Sequence, residues 1–310
     1  MRIKYTTTFA YCLSFLIAVS YVLVLYVVPR SRVAAGEPPA TRNDPIAVRT
    51  RIKKVLILSL FWIAALPVIL TYFKVVHNIV HGISVLGIIP GLKYTHDAFI
   101  FRIDYVFVFM NNTAKSLLLV VILFAGPLFD YVVLQKNQFG RRTNIIRNFY
   151  LETRNIWGFR NVIVGPFTEE IVYTSCILGC LYPLNKIGLD VLIFVTPLYF
   201  GVAHLHHGYE LYSTSTYKKL FIVKVCLAQF AYTSLFGIFT NYVFLRMGNV
   251  WSCFVVHSFC NYMGFPSFKP SSNRTSMKTV YYLLLIGGAI GFFMFLKPLT
   301  HSKLSPIKWH

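Results

Sequence analysis

Apolar positions in this chain come in long unbroken runs, not in the alternation of a half-buried strand or the stripe of a surface helix. Sliding along the chain gives about eight such runs, at 6–28, 55–73, 114–135, 162–183, 188–206, 219–245, 248–265 and 277–297. Runs of this length match the ~30 Å of hydrocarbon in a bilayer. Lipid offers no partner to a free N–H or C=O, so each run is expected to be a helix. The expectation is therefore an all-α polytopic membrane protein of about eight transmembrane helices, in one integral-membrane domain over 1–310. The runs at 162–183 and 188–206 carry polar side chains, which softens their ends. The stretch 74–113 is mixed: "VVHNIVHGISVLGIIPG" and "FIFRIDYVFVFM" read as amphipathic segments lying in the membrane interface.

Composition strengthens this reading. The chain is 56% hydrophobic and 13% charged, against the roughly 25% charged residues of a soluble domain. The first run follows "MRIKY" and exceeds the ~7–15 apolar residues of a signal peptide, so it is read as a retained helix. A net charge of +20 raises the question of nucleic acid, but Lys and Arg collect in the joins between runs and no base-stacking motif accompanies them. Roughly 18 of the 30 basic residues fall in the odd-numbered joins, which places those joins in the cytosol. Of two N-x-T sequons, Asn111 is then expected in a lumenal join and Asn273 in a cytosolic one. No internal repeat is visible, and the join at 30–52 is the only obvious linker. All six cysteines lie in apolar runs, as small buried hydrophobes do, and Cys176 and Cys180 share a helix face.

The informative residues are polar ones inside those runs. "GPFTEEIVYTS" sets Glu169 and Glu170 side by side, although the whole chain has only 10 acidic residues. A charge at the bilayer centre costs about 2.5–3.5 kcal/mol on insertion scales, so such residues mark function by default. "FGVAH" ends at His204, and "HSFCN" puts His257 and Asn261 four apart on one helix face. Taken singly, a buried His is a hydrogen-bonded core residue and an Asn bridges helices. His206 and His207 read as interfacial, and Asp130 as a snorkelling or capping residue. Five polar groups on three helices of the second half are harder to dismiss. A Glu with a His nearby can take a proton from water and return it to a leaving amine. Donors on one face suit a developing oxyanion. That combination means hydrolysis of an acyl bond, most plainly a peptide. A zinc site built from Glu and His stays open, although H-E-x-x-H and C-x-x-C are both missing. So does a proton-coupled transporter, in which buried acids and histidines form a relay, and so does a non-catalytic scaffold.

In this order on three membrane helices, "EEIVYT", "FGVAH" and "HSFCN" resemble the glutamate intramembrane proteases of the CAAX-protease and bacteriocin-processing superfamily. Over about 155–266 the chain is most similar to the type II CAAX prenyl endopeptidases, the Ras-converting enzymes, and to their fungal form; "GIIPG" and "GPLFD" extend the likeness weakly into the first half. The resemblance implies Glu169 as the base that activates water, His204 as its partner, Glu170 as an orienting acid, and His257 with Asn261 as the oxyanion pair. It implies no metal or other cofactor. It further implies removal of the last three residues from farnesylated or geranylgeranylated CAAX proteins, such as Ras-type GTPases and lipidated pheromone precursors, in the endoplasmic reticulum membrane with the site open to the cytosol. One position departs from the family pattern E-E-x-x-x-R: Thr174 stands where many members have Arg. Thr174 shares a face with Glu170 and can donate a weaker hydrogen bond to it. From the sequence, Glu170→Ala is expected to harm less than Glu169→Ala, and Thr174→Arg to be tolerated.

Overall fold

The structure is a computed structural model that describes residues 4–26, 43–95, 98–135 and 144–309. Among the described residues seven helices are long and apolar enough to cross a membrane: α1 (Thr7–Tyr26), α2 (Pro45–Tyr72), α4 (Ile103–Leu123), α7 (Ile156–Leu184), α8 (Val191–Ser213), α9 (Lys219–Met247) and α11 (Thr275–Thr300). Between them lie α3 (Ile79–Val85), the strands β1 (Leu92–Thr95) and β2 (Ala98–Phe101), α5 (Ala125–Leu134), α6 (Ile145–Arg154) and α10 (Val250–Met263). The run expected at 248–265 is thus a helix of 14 residues, only about 21 Å long at 1.5 Å per residue.

The stretch 74–113 differs from the interfacial reading. "FIFRIDYVFVFM" supplies an antiparallel strand, with Leu92 opposite Phe101, and then the first turns of α4. The expected third span 114–135 is divided at Phe124, where α4 ends and α5 begins. α3 and the turn after it pack into the bundle: Val85 and Leu86 are buried, and their carbonyls accept from Tyr182 and Ser175 of α7. Asn111 lies inside α4, not in a join.

α7 is the centre of the molecule. Its apolar window is 78% buried, against 17–39% for the other long helices. α1, α2, α9 and α10 surround its Glu170–Cys176 stretch, every residue of which is buried. α1 is built into this packing, since Tyr21 bonds Thr168 and the Tyr173 hydroxyl donates to the Ala18 carbonyl. α8 and α7 each widen to π-helical turns just before a proline, at Val191–Val195 ahead of Pro197 and Phe159–Val164 ahead of Pro166. A proline ring has no N–H and collides with the carbonyl four residues back. The wide turn removes that conflict, and the Thr196 and Gly165 amides reach five residues back, to Val191 and Arg160.

The ends of the helices sort onto two faces. Arg51 at the start of α2 pairs with Glu210 at the end of α8, at 2.8 Å. Trp157 at the start of α7 donates to the Asn43 carbonyl. Asp130 accepts from the backbone and hydroxyl of Ser271 ahead of α11, which makes it a cap. The opposite face holds both described ends of the chain: Tyr5 donates to the Cys180 carbonyl, and Trp309 to the Leu245 carbonyl.

Candidate active site

Glu169 and Glu170 sit where α7 changes from an α-helical turn, Gly165–Glu169, to the π-helical stretch Glu170–Cys176. π-bulges are costly relative to regular helix and recur at functional sites. Here the change of winding turns the two neighbouring carboxylates toward one histidine. His257 Nδ1 is 2.7 Å from Glu170 Oε1, and Nε2 is 3.7 Å from Glu169 Oε2. The two acids differ in access: the Glu170 side chain is 3% exposed and that of Glu169 is 21% exposed. Of the two, Glu169 is the one open to an incoming substrate.

Each oxygen of Glu170 meets one protein donor. Beside His257 it accepts from the Thr174 hydroxyl at 2.7 Å, and Thr174 lies 3.4 Å from the Thr240 hydroxyl of α9. A carboxylate is acceptor-only, so Nδ1 of His257 is the donor and the ring is locked with Nε2 facing Glu169. Phe236 and Phe200 flank the same ring, at centroid distances of 4.6 and 6.0 Å.

His204 belongs to the other side of this wall. Its ring packs edge-on against Phe200 at 4.4 Å, and Nδ1 lies 2.8 Å from the Phe200 carbonyl oxygen. A carbonyl can only accept, so Nδ1 carries the proton and Nε2 of the neutral ring is the basic nitrogen. Asn261 sits one turn beyond His257 on α10, exposed, and gives one amide hydrogen to the Asn161 carbonyl at 3.0 Å. An amide has two such hydrogens.

The structure thus brings Glu169, Glu170 and His257 into direct relation, with His204 behind Phe200 and Asn261 at the rim. Among the described residues no three His, Cys, Asp or Glu side chains converge as a ligand set. Thr240, Phe236 and Asn161 join the site without having been singled out in the sequence. Thr and Phe within an apolar run carry no signal of their own, and Asn161 takes part through its backbone. His206 and His207 stack on each other at 3.9 Å near Glu210, on the face that bears Arg51.

Residues 151–263 match the family described as Type II CAAX prenyl endopeptidase Rce1-like. CAAX prenyl protease 2 of Saccharomyces cerevisiae is 34% identical over 258 residues, covering 81% of this chain and 78% of that protein. Probable CAAX prenyl protease 2 of Schizosaccharomyces pombe is 31% identical, covering 92% and 91%. The human CAAX prenyl protease 2 is also 31% identical, covering 94% and 81%. No solved structure matches the chain. Likeness at this level, spread over most of each relative and including the helices that carry the acid pair, His204 and His257, settles the lineage: the chain belongs to the type II CAAX prenyl endopeptidases.

Proposed function

We propose that this multi-pass membrane endopeptidase removes the C-terminal tripeptide of prenylated CAAX proteins with a water molecule activated at Glu169. The observation that carries the mechanism is the unequal treatment of the two acids. Glu170 is buried and spent on His257 and Thr174, whereas Glu169 is partly open. In the reaction the water oxygen attacks the carbonyl carbon between the prenylated Cys and the first aliphatic residue. The water's proton passes to the Glu169 carboxylate, with the basic Nε2 of His204 as partner. The tetrahedral oxyanion is held by an amide hydrogen of Asn261 and by the Nε2–H of His257, which acts as an imidazolium carrying its other proton on Nδ1 toward Glu170. Collapse breaks the C–N bond, and the proton held at Glu169 goes to the amine of the departing tripeptide. Glu170 orients His257 throughout. The catalytic core is then about 155–266.

The substrate's lipid lies in the bilayer while its peptide end is aqueous, so the face with the basic joins is assigned to the cytosol. The endoplasmic reticulum is the membrane proposed, with Ras-type GTPases and lipidated pheromone precursors among the substrates. The test is purified protein in vesicles with a farnesylated CAAX peptide. Release of an intact tripeptide is expected, and the same rate is expected after exhaustive chelation. Absence of the tripeptide removes the assignment. Chelator-sensitive release restored by zinc removes the metal-free mechanism alone.

A further inference from the structure

Beside Glu170, α7, α8 and α9 leave a cavity of about 10 Å³. Glu170, Thr174, Thr240 and Asn241 line it with polar groups, and Tyr173 and Phe200 are among its apolar walls. A space of ~10–15 Å³ holds one water if two to four polar partners surround it. We propose that one water molecule is bound here and that Thr240, through this water and Thr174, is a positioning residue for the acid pair. The inference rests on the catalytic reading above.

The hydrogen-bond arithmetic supports a ligand with hydrogens to give. An ionised carboxylate offers about four acceptor sites. Glu170 meets one donor at Oε1, from His257, and one at Oε2, from Thr174. The Thr174 hydroxyl has a single hydrogen, and it goes to Glu170. Thr174 can therefore only accept from Thr240, 3.4 Å away, which is a long contact for two hydroxyls. Thr240 is also 3.3 Å from the Gly237 carbonyl, so its own hydrogen is held weakly in either direction. Asn241 spends both amide hydrogens on the Leu192 carbonyl and Thr196, which fixes it as a rigid wall. A water among these groups accepts from Thr240 and donates one hydrogen to the Thr174 oxygen and the other to Glu170 at ordinary distances. The chain Thr240, water, Thr174, Glu170, His257 then ties α9 to α7 and α10. It supplies hydrogen-bond donation to the acid pair from the position where Thr174 replaces the arginine of the family pattern.

Isosteric substitutions test this without changing volume. Thr240→Val is expected to lower kcat about three- to tenfold, and Thr174→Val about ten- to a hundredfold, with KM within twofold in both. Thr240→Ser and Thr174→Ser are expected to keep kcat within threefold of wild type. A merely structural role would impair Ser and Val variants alike, or alter KM and kcat together. The water itself is read by X-ray hydroxyl-radical footprinting of the full-length protein in vesicles. Tyr173 is expected to be modified well above Phe244, which is also buried, and the excess is expected to vanish in the double Thr→Val variant. Thr240→Val with wild-type kcat overturns the positioning role, and Tyr173 no more reactive than Phe244 overturns the hydration site. Either result leaves tripeptide release by the wild type standing, so failure here is distinct from failure of the assigned reaction.

Discussion

At the scale of single residues, adjacent glutamates of one type have been given different work by their surroundings. Glu169→Gln keeps the shape of a partly open side chain and removes the base, so turnover is expected to drop about 10²–10⁴-fold with unchanged melting temperature. Glu170→Ala, milder by the sequence reading, is expected from the structure to unfold the protein more easily as well. It strands the His257 and Thr174 donors in the core, and an unsatisfied buried group costs about 1–3 kcal/mol. Thermal unfolding in detergent beside turnover separates the two effects; equal melting temperatures for the two variants would show that Glu170 is not the structural member. Thr174→Arg also reverses its expectation. Thr174 is 3% exposed against a cavity of about 10 Å³, and an arginine brings several more heavy atoms than that space admits. Overpacking of this kind costs about 1–3 kcal/mol, so the variant is expected to accumulate poorly and to lose most activity. Wild-type yield and rate would mean that α8 and α9 yield readily. The sequence showed all five candidate residues, because charge and amide groups inside an apolar run stand out against composition. It could not show which acid His257 would choose, since that depends on helical winding.

At the scale of elements, hydropathy located the crossings but not their ends. A window sums over its residues, so it merged the end of α4 with α5 and spread the 14-residue α10 over 248–265. It also assigned Ile103–Met110 to the interface, because Arg102 and Asp104 depress the sum at what is the start of a regular helix. The corner before the catalytic helix depends on atoms no window sees. Asn155 leaves α6 in an extended conformation, and its side chain accepts from the Gly158 amide at 2.6 Å. The chain turns so sharply that a Cβ on Gly158 would lie 2.2 Å from the Glu152 carbonyl oxygen. That neighbour is backbone, so relief requires moving α6 or the first turn of α7. Gly158→Ala is expected to cost about 1–3 kcal/mol and to lower turnover, because Asn161, which holds Asn261, is in the next turn. Melting temperature and rate both equal to wild type would show the corner to be soft.

For the whole molecule, the arrangement of faces makes a prediction about the membrane. α1, α2, α4 with α5, and α7 to α11 cross between the two faces eight times if the short α10 is counted. Both described ends then meet on one side, as their contacts with Cys180 and Leu245 at one face require. The opposite face carries Arg51, Glu210, Asn161 and Asn261, and in the proposed mechanism it is the face through which the peptide end of a substrate reaches Glu169. Sequon logic changes with the structure. Asn111 is the ninth residue of α4, and Thr113 spends its hydroxyl on the Phe109 carbonyl, so glycosylation there is not expected on either side. Asn273 precedes α11 on the face of Arg51, in a segment capped by Asp130. If that face is cytosolic, as proposed from the basic joins, Asn273 stays unmodified too. An acceptor sequence appended after His310, on the opposite face, should be glycosylated. The wild-type chain should therefore run as a single unglycosylated species, and the extended chain should shift on a gel and return with endoglycosidase. Modification of Asn273 without modification of the appended site would turn the molecule over. The entry to Glu169 would then open to the lumen, where a cytosolic prenylated tail could not reach it.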